Sequence, residues 1–523
     1  ELYKGFKNKL KYDRITKKNK IVFNANYLFS EANINTNFYR HNSILEQSLK
    51  VFTVGYEDQM ENNLFHSSDT LLGNSYSFYE GKIYLKNNST SDNFLKLYYG
   101  FRTENLAVNL QLKNSANSHE TGMDYNLISK NKKTRLNGNL AFRKFTPISI
   151  VNSESPENTF INQTNFSTSF LKQLFRLNTH YSVGSGLEQK REFVYLEVNP
   201  GQGIFTWIDY NNNGIKELSE FEIAAFSDQA NYLRVFIQSN SYVRTFTNLF
   251  SQSITINPQT ILRKNKSNLS KIVSKFSSVT AFKVDRKTTR ENLISSLNPF
   301  QENIADTNLV SLNNQFRSSL FLNRSGYKYG VEYSYQKTSN KILLSNGFDI
   351  RNSISHELNA RYKLKKILLN WKNKIGEKGY NSDYLSGRDY RIKFLSTSPI
   401  ISFQKSNDFI LDINYNYKEK NNQLGNDFAV INSSGISAKY SLINNLNFST
   451  VINYVKIIYS GNENSSLEYE MLEGLKSGDN YTWEVLLNKK IAKNLDLTLN
   501  YNGRKPEGIK TIHAGTIQVR AFF

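Results

Sequence analysis

Apolar and polar residues alternate along most of this chain with a period of two. Residues 327–336 alternate between Tyr or Val and Lys, Gly, Glu, Ser or Gln, and residues 495–502 alternate between Leu or Tyr and Asp, Thr or Asn. Residues 106–113 follow the same pattern. Strict alternation over such lengths predicts β-strands with one apolar and one polar face.

The length of these runs separates two all-β architectures. Strands of soluble sandwiches average about 5 to 6 residues, whereas about 10 residues cross a bilayer when the strand is tilted. Many runs here reach about 10 residues, and Tyr and Phe lie near their ends, as interfacial aromatic girdles require. The pattern predicts an all-β fold, a large transmembrane antiparallel β-barrel in the bacterial outer membrane.

Connection lengths add a second asymmetry. The connection at 443–445 is tight, whereas the polar stretches 58–72, 200–230, 296–308 and 375–388 are read as long loops. Short periplasmic turns and long extracellular loops are typical of outer-membrane barrels. At about 20 residues per strand and connection, the chain predicts roughly 22–28 strands. We therefore expect a single barrel over 1–523 with an inserted loop at 199–231, and we find no separate plug domain.

Composition excludes several classes of protein. The 523 residues include no Cys, so disulfides and thiolate metal sites are excluded, and no apolar run approaches a membrane helix. The net charge is +21, but most lysines are scattered, and we expect the dense runs at 7–20, 130–133 and 363–366 in turns. This distribution predicts a solvated basic face and no nucleic-acid partner. With neither Met nor a signal sequence, Glu1 is expected to begin a mature or truncated form.

The segment Ile208–Phe221, IDYNNNGIKELSEF, departs from the strand pattern. Its spacing matches a calcium loop of the EF-hand type. The residues expected to bind the metal, in order of position, are Asp209, Asn211, Asn213, Ile215 through its carbonyl, Glu217 and Glu220. Gly214 falls where such a loop turns sharply. The sequence predicts a structural Ca²⁺ that orders the loop.

This segment departs from the usual EF-hand loop at one position, and a simpler explanation of it is also open. Lys216 takes a position that is usually apolar in paired hands, so we expect an isolated loop without flanking helices. The simpler alternative is an Asn/Gly turn with solvated glutamates. The nearby aromatic residues Phe205, Trp207 and Tyr210 could form a docking patch for a glycan or partner, but we expect a small core of the loop itself.

Two blocks of the sequence carry a family resemblance. The segment PGQGIFTWIDYNNNGIKELSEFEIAAFSDQANYLRVF and the ending YNGRKPEGIKTIHAGTIQVRAFF resemble the C-terminal region of large, mostly uncharacterised Bacteroidota-type outer-membrane proteins. The terminal Phe523 also resembles the assembly signal of outer-membrane proteins. The resemblance implies a barrel in the outer membrane but no substrate. Similar barrels include TonB-dependent transporters, which carry a plug domain, and the much longer type IX secretion translocon.

Catalytic motifs give little support for an enzyme. His180 and Ser182 are spaced like the His-x-Ser pattern of outer-membrane phospholipases, whose catalytic side chains face lipid. Here Leu177, Tyr181 and Val183 take the lipid face, so His180 and Ser182 are expected in the lumen. The other histidines are scattered, and no P-loop, dinucleotide or G-x-S-x-G motif occurs. We predict that the protein is not an enzyme.

The leading hypothesis is a barrel that serves as scaffold or conduit subunit of a cell-envelope complex for secretion, assembly or transport. Its expected partners are outer-membrane lipid or lipopolysaccharide and other outer-membrane or periplasmic proteins. The alternative is an uptake channel for glycans or peptides, TonB-linked or passive. A third hypothesis is a soluble, calcium-dependent glycan-binding protein, which the long alternating runs disfavour.

Overall fold

The computed structural model describes residues 4–68, 70–88, 92–148, 156–263, 267–289, 298–300, 308–344, 347–383, 388–404, 406, 408–442 and 445–522. Its β-strands form one sheet of 26 strands. Within these residues no helix is long and apolar enough to span a membrane. The helices are α1 (Gln259–Leu262), α2 (Asn268–Val273) and α3 (Ser466–Leu472), with 3₁₀ turns at Leu218–Glu220 and Ser227–Gln229.

The strands follow one another along the chain. The first thirteen are β1 (Lys4–Ile15), β2 (Asn19–Glu31), β3 (Asn35–Ser48), β4 (Phe52–Ser67), β5 (Thr70–Leu71), β6 (Tyr76–Asn87), β7 (Phe94–Val108), β8 (Gln111–Ile128), β9 (Thr134–Pro147), β10 (Glu157–Phe170), β11 (Phe175–Glu197), β12 (Phe205–Trp207) and β13 (Phe221–Ile223). The others are β14 (Tyr232–Ile256), β15 (Phe276–Thr288), β16 (Leu309–Leu322), β17 (Tyr329–Leu344), β18 (Gly347–Leu364), β19 (Ile367–Ser382), β20 (Tyr390–Gln404), β21 (Phe409–Asn422), β22 (Phe428–Leu442), β23 (Leu446–Ser460), β24 (Gly478–Ala492), β25 (Leu495–Lys505) and β26 (Ile512–Ala521).

The sheet is an up-and-down meander of long strands. β5, β12 and β13 have only two or three residues, and the other 23 strands have 10 to 25. Each long strand pairs antiparallel with the next long strand, from β1 with β2 to β25 with β26. β4 pairs with β6, and β11 pairs with β14, because the short strands lie in the connections between them. Both the total of 26 strands and the 23 long strands fall within the predicted range of roughly 22–28 strands.

The two faces of the sheet differ in what they contact, as β23 illustrates. Ile452, Tyr454 and Ile458 are exposed, whereas Val455 and Ile457, on the opposite face, are buried against α3. We call the face that carries α3 the lumen face and the opposite face the outer face. Because paired residues share a face, the register of the strands extends this assignment to the whole sheet.

The outer face carries exposed apolar side chains in both halves of the sheet, although in β10, β11, β14 and β15 it also carries the buried residues Asn162, Val183, Asn248, Val284 and Arg286. Residues that face outward include Ile83 and Leu85 in β6, Leu97 and Tyr99 in β7, Ile413 and Tyr415 in β21, and Ile517 and Val519 in β26. The lumen face carries charged pairs such as Lys96–Glu57 and Arg102–Glu80. Apolar outward and polar inward is the pattern of a transmembrane β-barrel, and the predicted fold class is confirmed.

The two ends of the barrel differ in their connections. At the end where β26 finishes, most connections are short, for example 365–366 and 493–494, although 257–275 carries α1 and α2. At the other end lie the longest connections, 198–231, 289–308 and 461–477. We call these the short-turn end and the long-loop end. The asymmetry assigns them to the periplasmic and extracellular sides.

The sheet has two unpaired edges among the described residues. β1 pairs only with β2 and β26 only with β25, and no pairing joins β1 to β26. Because the number of long strands is odd, the first and last strands of this meander run in the same direction. They therefore cannot pair antiparallel with each other. We call this pair of edges the seam.

The lysine-rich run 7–20, predicted to lie in a turn, is mostly strand β1. Lys7, Lys9 and Lys11 alternate with Leu10 and Tyr12, and the register with β2 places the lysines on the lumen face. The prediction is wrong because lysines that alternate with apolar residues fit one face of a strand, whatever their density. A lumen-facing row of lysines costs little, since that side of a large barrel is wet.

Two further local predictions are wrong for different reasons. Residues 106–113 are not one strand, because Asn109 and Leu110 have positive φ values of 51° and 64° and form a two-residue hairpin turn between β7 and β8. The predicted loops 58–72 and 375–388 are largely strand, since β4 continues to Ser67 and β19 to Ser382. Strands of 16 residues extend beyond the bilayer, where both faces are polar. Most of the predicted loop 296–308, and Phe523, lie outside the described residues.

Candidate functional site

The connection 198–231 at the long-loop end, which we call the bridge, is built on a short hairpin. Strands β12 and β13 pair from Phe205 with Ile223 to Trp207 with Phe221. Phe205, Phe221 and Tyr232 form a buried cluster, with Tyr195 stacked on Phe221 at 4.0 Å between ring centroids. Trp207 packs against the same cluster. The predicted aromatic core of the loop is confirmed for Phe205 and Trp207.

The predicted calcium loop connects these two strands and is closed at its base. The backbone N–H of Ile208 donates to the carbonyl of Glu220 at 2.9 Å. Inside the loop the Asp209 carboxylate accepts hydrogen bonds from the backbone N–H groups of Asn213 (3.1 Å) and Gly214 (2.8 Å). Gly214 has φ 72°, the left-handed conformation that a glycine adopts without strain. The loop is therefore wrapped around Asp209, flanked by strands rather than helices, as predicted.

Three other predicted ligands converge on the same side of the loop. The side-chain amides of Asn211 and Asn213 donate to the Glu217 carboxylate at 3.4 and 3.1 Å. The Asn213 side-chain oxygen accepts from the backbone N–H of Ile215 at 2.7 Å. The loop therefore brings together the side chains of Asp209, Asn211, Asn213 and Glu217.

Glu220, the sixth predicted ligand, is buried at the base of the loop with a relative exposure of 2%. Its Oε2 accepts from the indole N–H of Trp207 at 2.8 Å and from the backbone N–H of Glu217 at 3.4 Å. Its Oε1 is buried and has no hydrogen-bond partner within the described residues. No group of three His, Cys, Asp or Glu side chains close enough to hold a metal occurs in the described part of the chain. A calcium site here would draw on amide and carbonyl oxygens as well.

The hairpin of the bridge is anchored to the barrel wall by Arg388, which lies two residues before β20. The Arg388 guanidinium donates to Glu222 at 2.5 Å and to the carbonyl of Phe221 at 3.3 Å. The Tyr210 hydroxyl donates to the other oxygen of Glu222 at 3.2 Å. Burial raises the pKa of Glu222 to about 7, although Arg388 favours the ionised form. Burial also raises the pKa of Tyr210 far above its usual range, so Tyr210 remains a donor.

A second set of anchors lies further along the bridge. Asp228 forms an ion pair with Arg504, a lumen-facing residue of β25 that is almost fully buried. The same guanidinium lies 4.3 Å from the ring centroid of Phe226. The backbone N–H of Ala225 donates to the Tyr469 hydroxyl of α3 at 2.8 Å. The bridge is therefore held by charge, a cation–π contact and a backbone hydrogen bond.

These anchors lie far from the strands that carry the bridge. Its roots are β11 and β14, the tenth and eleventh long strands, whereas Arg504 lies in β25, the twenty-second. Ten of the 23 long strands, β15 to β24, lie between β14 and β25, which is nearly half of the sheet. The bridge therefore crosses the lumen at the long-loop end. A recess of only about 60 Å³ remains between the bridge and the wall near Tyr380 and Tyr390.

Helix α3 forms a second element on the lumen face. The Ser465 hydroxyl caps the helix by accepting from the backbone N–H of Glu468 at 3.1 Å. Met471 and Leu472 are fully buried against side chains of three strands. These are Ile392 in β20, Ala429 and Ile431 in β22, and Val455 and Ile457 in β23. The barrel has an apolar core here, where most of its lumen face is polar.

Ion pairs fix the C-terminal end of α3. Glu473 follows the helix in the left-handed conformation, φ 58°, and its carboxylate binds Lys418 and Lys420 of β21 at 2.8 and 2.9 Å. Desolvation by itself would raise the pKa of Glu473, but the two lysines lower it to about 2. Glu470 pairs with Lys378 of β19. Lys420 also donates to the carbonyl of Met471 at 2.7 Å.

A recess of about 570 Å³, lined by polar side chains together with Phe166, Phe282 and Phe316, lies on the wall near the short-turn end. Its centre is a lumen-facing row of directly paired residues across five strands: Asn137, Asn165, His180, Ser251 and Lys283. His180 Nδ1 lies 2.7 Å from Asn165 Oδ1. The register also places Ser182 on the lumen face, opposite Gln163. The predicted orientation of His180 and Ser182 is confirmed.

Sequence reasoning missed the residues that hold the bridge in place. Arg388 and Arg504 lie 166 and 276 positions from their partners, and nothing local in the sequence distinguishes them from other basic residues. Helix α3 did leave a signal, because Ser465 and Glu468 have the S-x-x-E spacing of a helix N-terminus.

Fold and site together define an outer-membrane β-barrel whose long-loop end is crossed by an ordered bridge. In comparisons with known proteins, no family model and no curated protein matches this chain. Solved structures do match, at low TM-scores and low sequence identity, and several of them are bacterial receptors and transporters.

Three of these structures illustrate the likeness. The siderophore receptor PirA from Pseudomonas aeruginosa has a TM-score of 0.36 at 9% identity, covering 98% of this chain and 81% of its own. The FrpB iron transporter from Neisseria meningitidis has a TM-score of 0.37 at 9% sequence identity, and the match covers 97% of this chain and 81% of that protein. BauA, the ferric preacinetobactin receptor from Acinetobacter baumannii, has a TM-score of 0.35 at 10% sequence identity, and the match covers 99% of this chain and 79% of that protein. At such values no feature of these proteins is transferred to this one.

Proposed function

We propose that this protein is an outer-membrane conduit for polar solutes and that the bridge gates its extracellular mouth. The observation that carries the proposal is the position of the bridge, which is rooted in β11 and β14 and anchored about half of the sheet away on β25. A barrel of this size leaves a wide aqueous lumen unless something fills it. The bridge and α3 are the elements that fill it at the long-loop end.

The anchors of the bridge are of a kind that can be released. Arg388–Glu222 and Arg504–Asp228 are ion pairs between separate parts of the chain, and the bridge has only one small aromatic core of its own. Release of these ion pairs separates the bridge from the wall without disrupting that aromatic core or the sheet, as in local opening of a segment within a folded protein. Opening would expose a lumen wall lined with Asn, Ser, His, Lys and Arg. Such a wall favours glycans or peptides as cargo.

The proposed function is the binding and passage of polar solutes through the barrel, and it includes no catalytic step. His180 interacts with Asn165 in a row of lumen-facing polar residues, which is what a conduit wall requires. The similarity of the two sequence blocks to Bacteroidota-type outer-membrane proteins remains a prediction. Energy coupling through a TonB-type partner is compatible with the proposal and is not needed for its test.

Conductance across a planar lipid bilayer tests the gate. The double variant Arg388→Ala/Arg504→Ala removes both ion pairs, and we expect its mean single-channel conductance to exceed that of the unchanged protein by about tenfold or more. The matched control is Lys372→Ala, which removes a lumen-facing pair with Glu357 remote from the bridge. Equal conductance of the double variant, the control and the unchanged protein would refute gating by the bridge.

A second candidate function is that of a scaffold within a larger envelope complex, and the seam favours it. Unpaired backbone groups within the hydrocarbon layer cost several kcal/mol each. Phe6 and Leu10 of β1 and Ile517 and Val519 of β26 face outward and are exposed, so both edges lie at membrane depth. Copies of this chain in one membrane share the direction of β1 and β26, so they cannot complete the antiparallel ladder. A strand of opposite direction can, and in a scaffold that strand would belong to a partner protein.

Purification of the tagged protein from its own outer membrane in mild detergent tests the scaffold. Photo-crosslinking residues placed at Asn8 in β1 and at Gly515 in β26 should capture one and the same peptide segment. The control is the same residue at Ser434, within the fully paired strand β22. A direct crosslink between β1 and β26, or capture of lipid alone at both positions, would exclude the scaffold function.

A further inference from the structure

We propose that the loop 209–220 of the bridge binds one calcium ion, which acts as a latch that keeps the bridge folded. Binding by the loop does not depend on the proposed function, whereas the role as a latch rests on it. The ligands are six oxygen donors of one short segment. They are the side chains of Asp209, Asn211, Asn213, Glu217 and Glu220 and the carbonyl of Ile215.

The chemistry of this donor set favours calcium. Ca²⁺ takes six to eight oxygen ligands from carboxylates, amides, carbonyls and water, and it tolerates irregular geometry. Mg²⁺ demands near-ideal octahedral geometry, and softer metals prefer His or Cys ligands. The chain contains no Cys. Three carboxylates from Asp209, Glu217 and Glu220 would more than neutralise a divalent ion.

The structure supplies an observation that does not depend on the spacing of these residues. Glu220 is 2% exposed, and its Oε1 has no hydrogen-bond partner within the described residues. A buried carboxylate oxygen without a partner is costly unless a cation compensates it. The other oxygen accepts from the backbone N–H of Glu217, so the carboxyl group is adjacent to the ninth position of the loop. A cation held by the loop satisfies Oε1.

Lys216 does not supply that cation. Its ammonium group binds Glu197 of β11 at 2.7 Å and lies 5.2 Å from the ring centroid of Tyr232. The side chain therefore points toward the aromatic core of the bridge and the end of β11. This placement also explains the departure from the usual motif, because a lysine at this position anchors the loop to its root. It leaves the carboxylates of the loop free for a metal.

The hydrogen bonds within the loop indicate how an ion would enter. The amide N–H groups of Asn211 and Asn213 occupy Glu217 at 3.4 and 3.1 Å, both at the long end of the range for hydrogen bonds. The side-chain oxygens of Asn211 and Asn213 already accept from the backbone N–H groups of Asn213 and Ile215 at 3.0 and 2.7 Å, so rotation of either amide would break a bond that shapes the loop. An ion that draws these two oxygens and the Glu217 carboxylate together displaces the amide N–H groups from Glu217.

Terbium luminescence tests the site on the full chain in detergent micelles. Tb³⁺ substitutes for Ca²⁺, and Trp207, which donates to the ligand Glu220, is placed to sensitise its emission. Excitation of Trp should give Tb³⁺ emission that Ca²⁺ displaces at about 0.1–1 mM, the range of weak extracellular sites. Glu220→Gln, a variant of the same shape, should weaken this binding by at least about tenfold.

Two controls make the result decisive. Trp207→Phe should remove the sensitised emission while calorimetry still detects Ca²⁺ binding, and Glu463→Ala, an exposed carboxylate of another long connection, should change neither. Emission that persists in Glu220→Gln, or that Ca²⁺ cannot displace, would refute the site and leave an Asn/Gly turn. Binding without any effect of Ca²⁺ on conductance would refute the latch alone, and conductance gating without binding would refute the site alone.

Discussion

The bridge and the seam are the two places where this barrel departs from a plain meander, and they differ in how their polar groups are satisfied. At the bridge, side chains from β19, β20, β21 and β25 converge on the bridge and on α3 through ion pairs and a buried apolar cluster. At the seam, β1 and β26 each present an unpaired edge among the described residues. The polar groups at the long-loop end of the barrel are therefore satisfied by contacts within this chain.

This difference indicates where the chain is self-sufficient. The contacts of the bridge join residues more than 160 positions apart, so they form only after most of the sheet has assembled. At the seam, no pairing joins β1 to β26 among the described residues, and an odd number of long strands leaves a parallel pair as the direct closure. The contacts at the long-loop end are therefore specified by the described residues, whereas the seam carries no such contacts among them.

The largest effect is expected from removal of the buried cation at the far anchor of the bridge. Arg504→Ala leaves Asp228, which is 18% exposed, without its partner. Loss of one member of a buried ion pair costs about 3–5 kcal/mol. Hydrogen exchange of the backbone amides at 225–231 should accelerate accordingly. Unchanged exchange at these amides would show that the bridge is held elsewhere.

A smaller effect is expected from the apolar core beneath α3. Met471 is fully buried, and truncation of a buried Met to Ala costs about 2–5 kcal/mol. Met471→Ala should make the connection 461–477 sensitive to protease at low protease concentration. Leu424→Ala, at an exposed position of a neighbouring connection, serves as the control and should leave the cleavage rate unchanged. Equal rates in both variants would contradict a structural role for α3.

The pH dependence of the same element distinguishes charge from apolar packing. The pKa of Glu473 is lowered to about 2 from an ordinary value near 4.5, so its pairing with Lys418 and Lys420 stabilises α3 above pH 4.5. That contribution is lost as the pH falls from 4.5 towards 2. Cleavage at 461–477 by an acid-active protease should rise over this range, less steeply in Glu473→Gln. Glu468 and Glu470 are further carboxylates of the same helix, which makes the comparison with this variant essential.

The smallest effect is expected at the seam. Lys9 is exposed on the lumen face of β1, and a substitution at such a position changes stability by within about 0.5 kcal/mol. Lys9→Ala should leave the thermal unfolding midpoint of the purified chain unchanged. A clear loss of stability in the native membrane, with none after purification in detergent, would show that this edge contacts another strand there.

The sequence predicted the architecture well because alternation reports a physical constraint along the whole chain. Val455 and Ile452 could be assigned to opposite faces from their neighbours alone. It located the bridge closely, at 199–231 against an observed connection of 198–231, because DYNNNG cannot continue a strand. It failed where local composition misleads, as at Lys7, Lys9 and Lys11 in β1. It could not predict Arg388 or Arg504 as anchors, because their partners are distant in sequence.

The position of the bridge also has a mechanical consequence for the barrel as a whole. A tube made of 23 long strands resists bending along its axis but flattens easily when pressed from the side. A strut fixed at β14 and at β25 joins nearly opposite points of the rim, so it sets the width of the tube in one direction. Release of the bridge from β25 would allow the rim of the barrel to become oval. The opening would then change in shape at the same time as the bridge ceases to obstruct it.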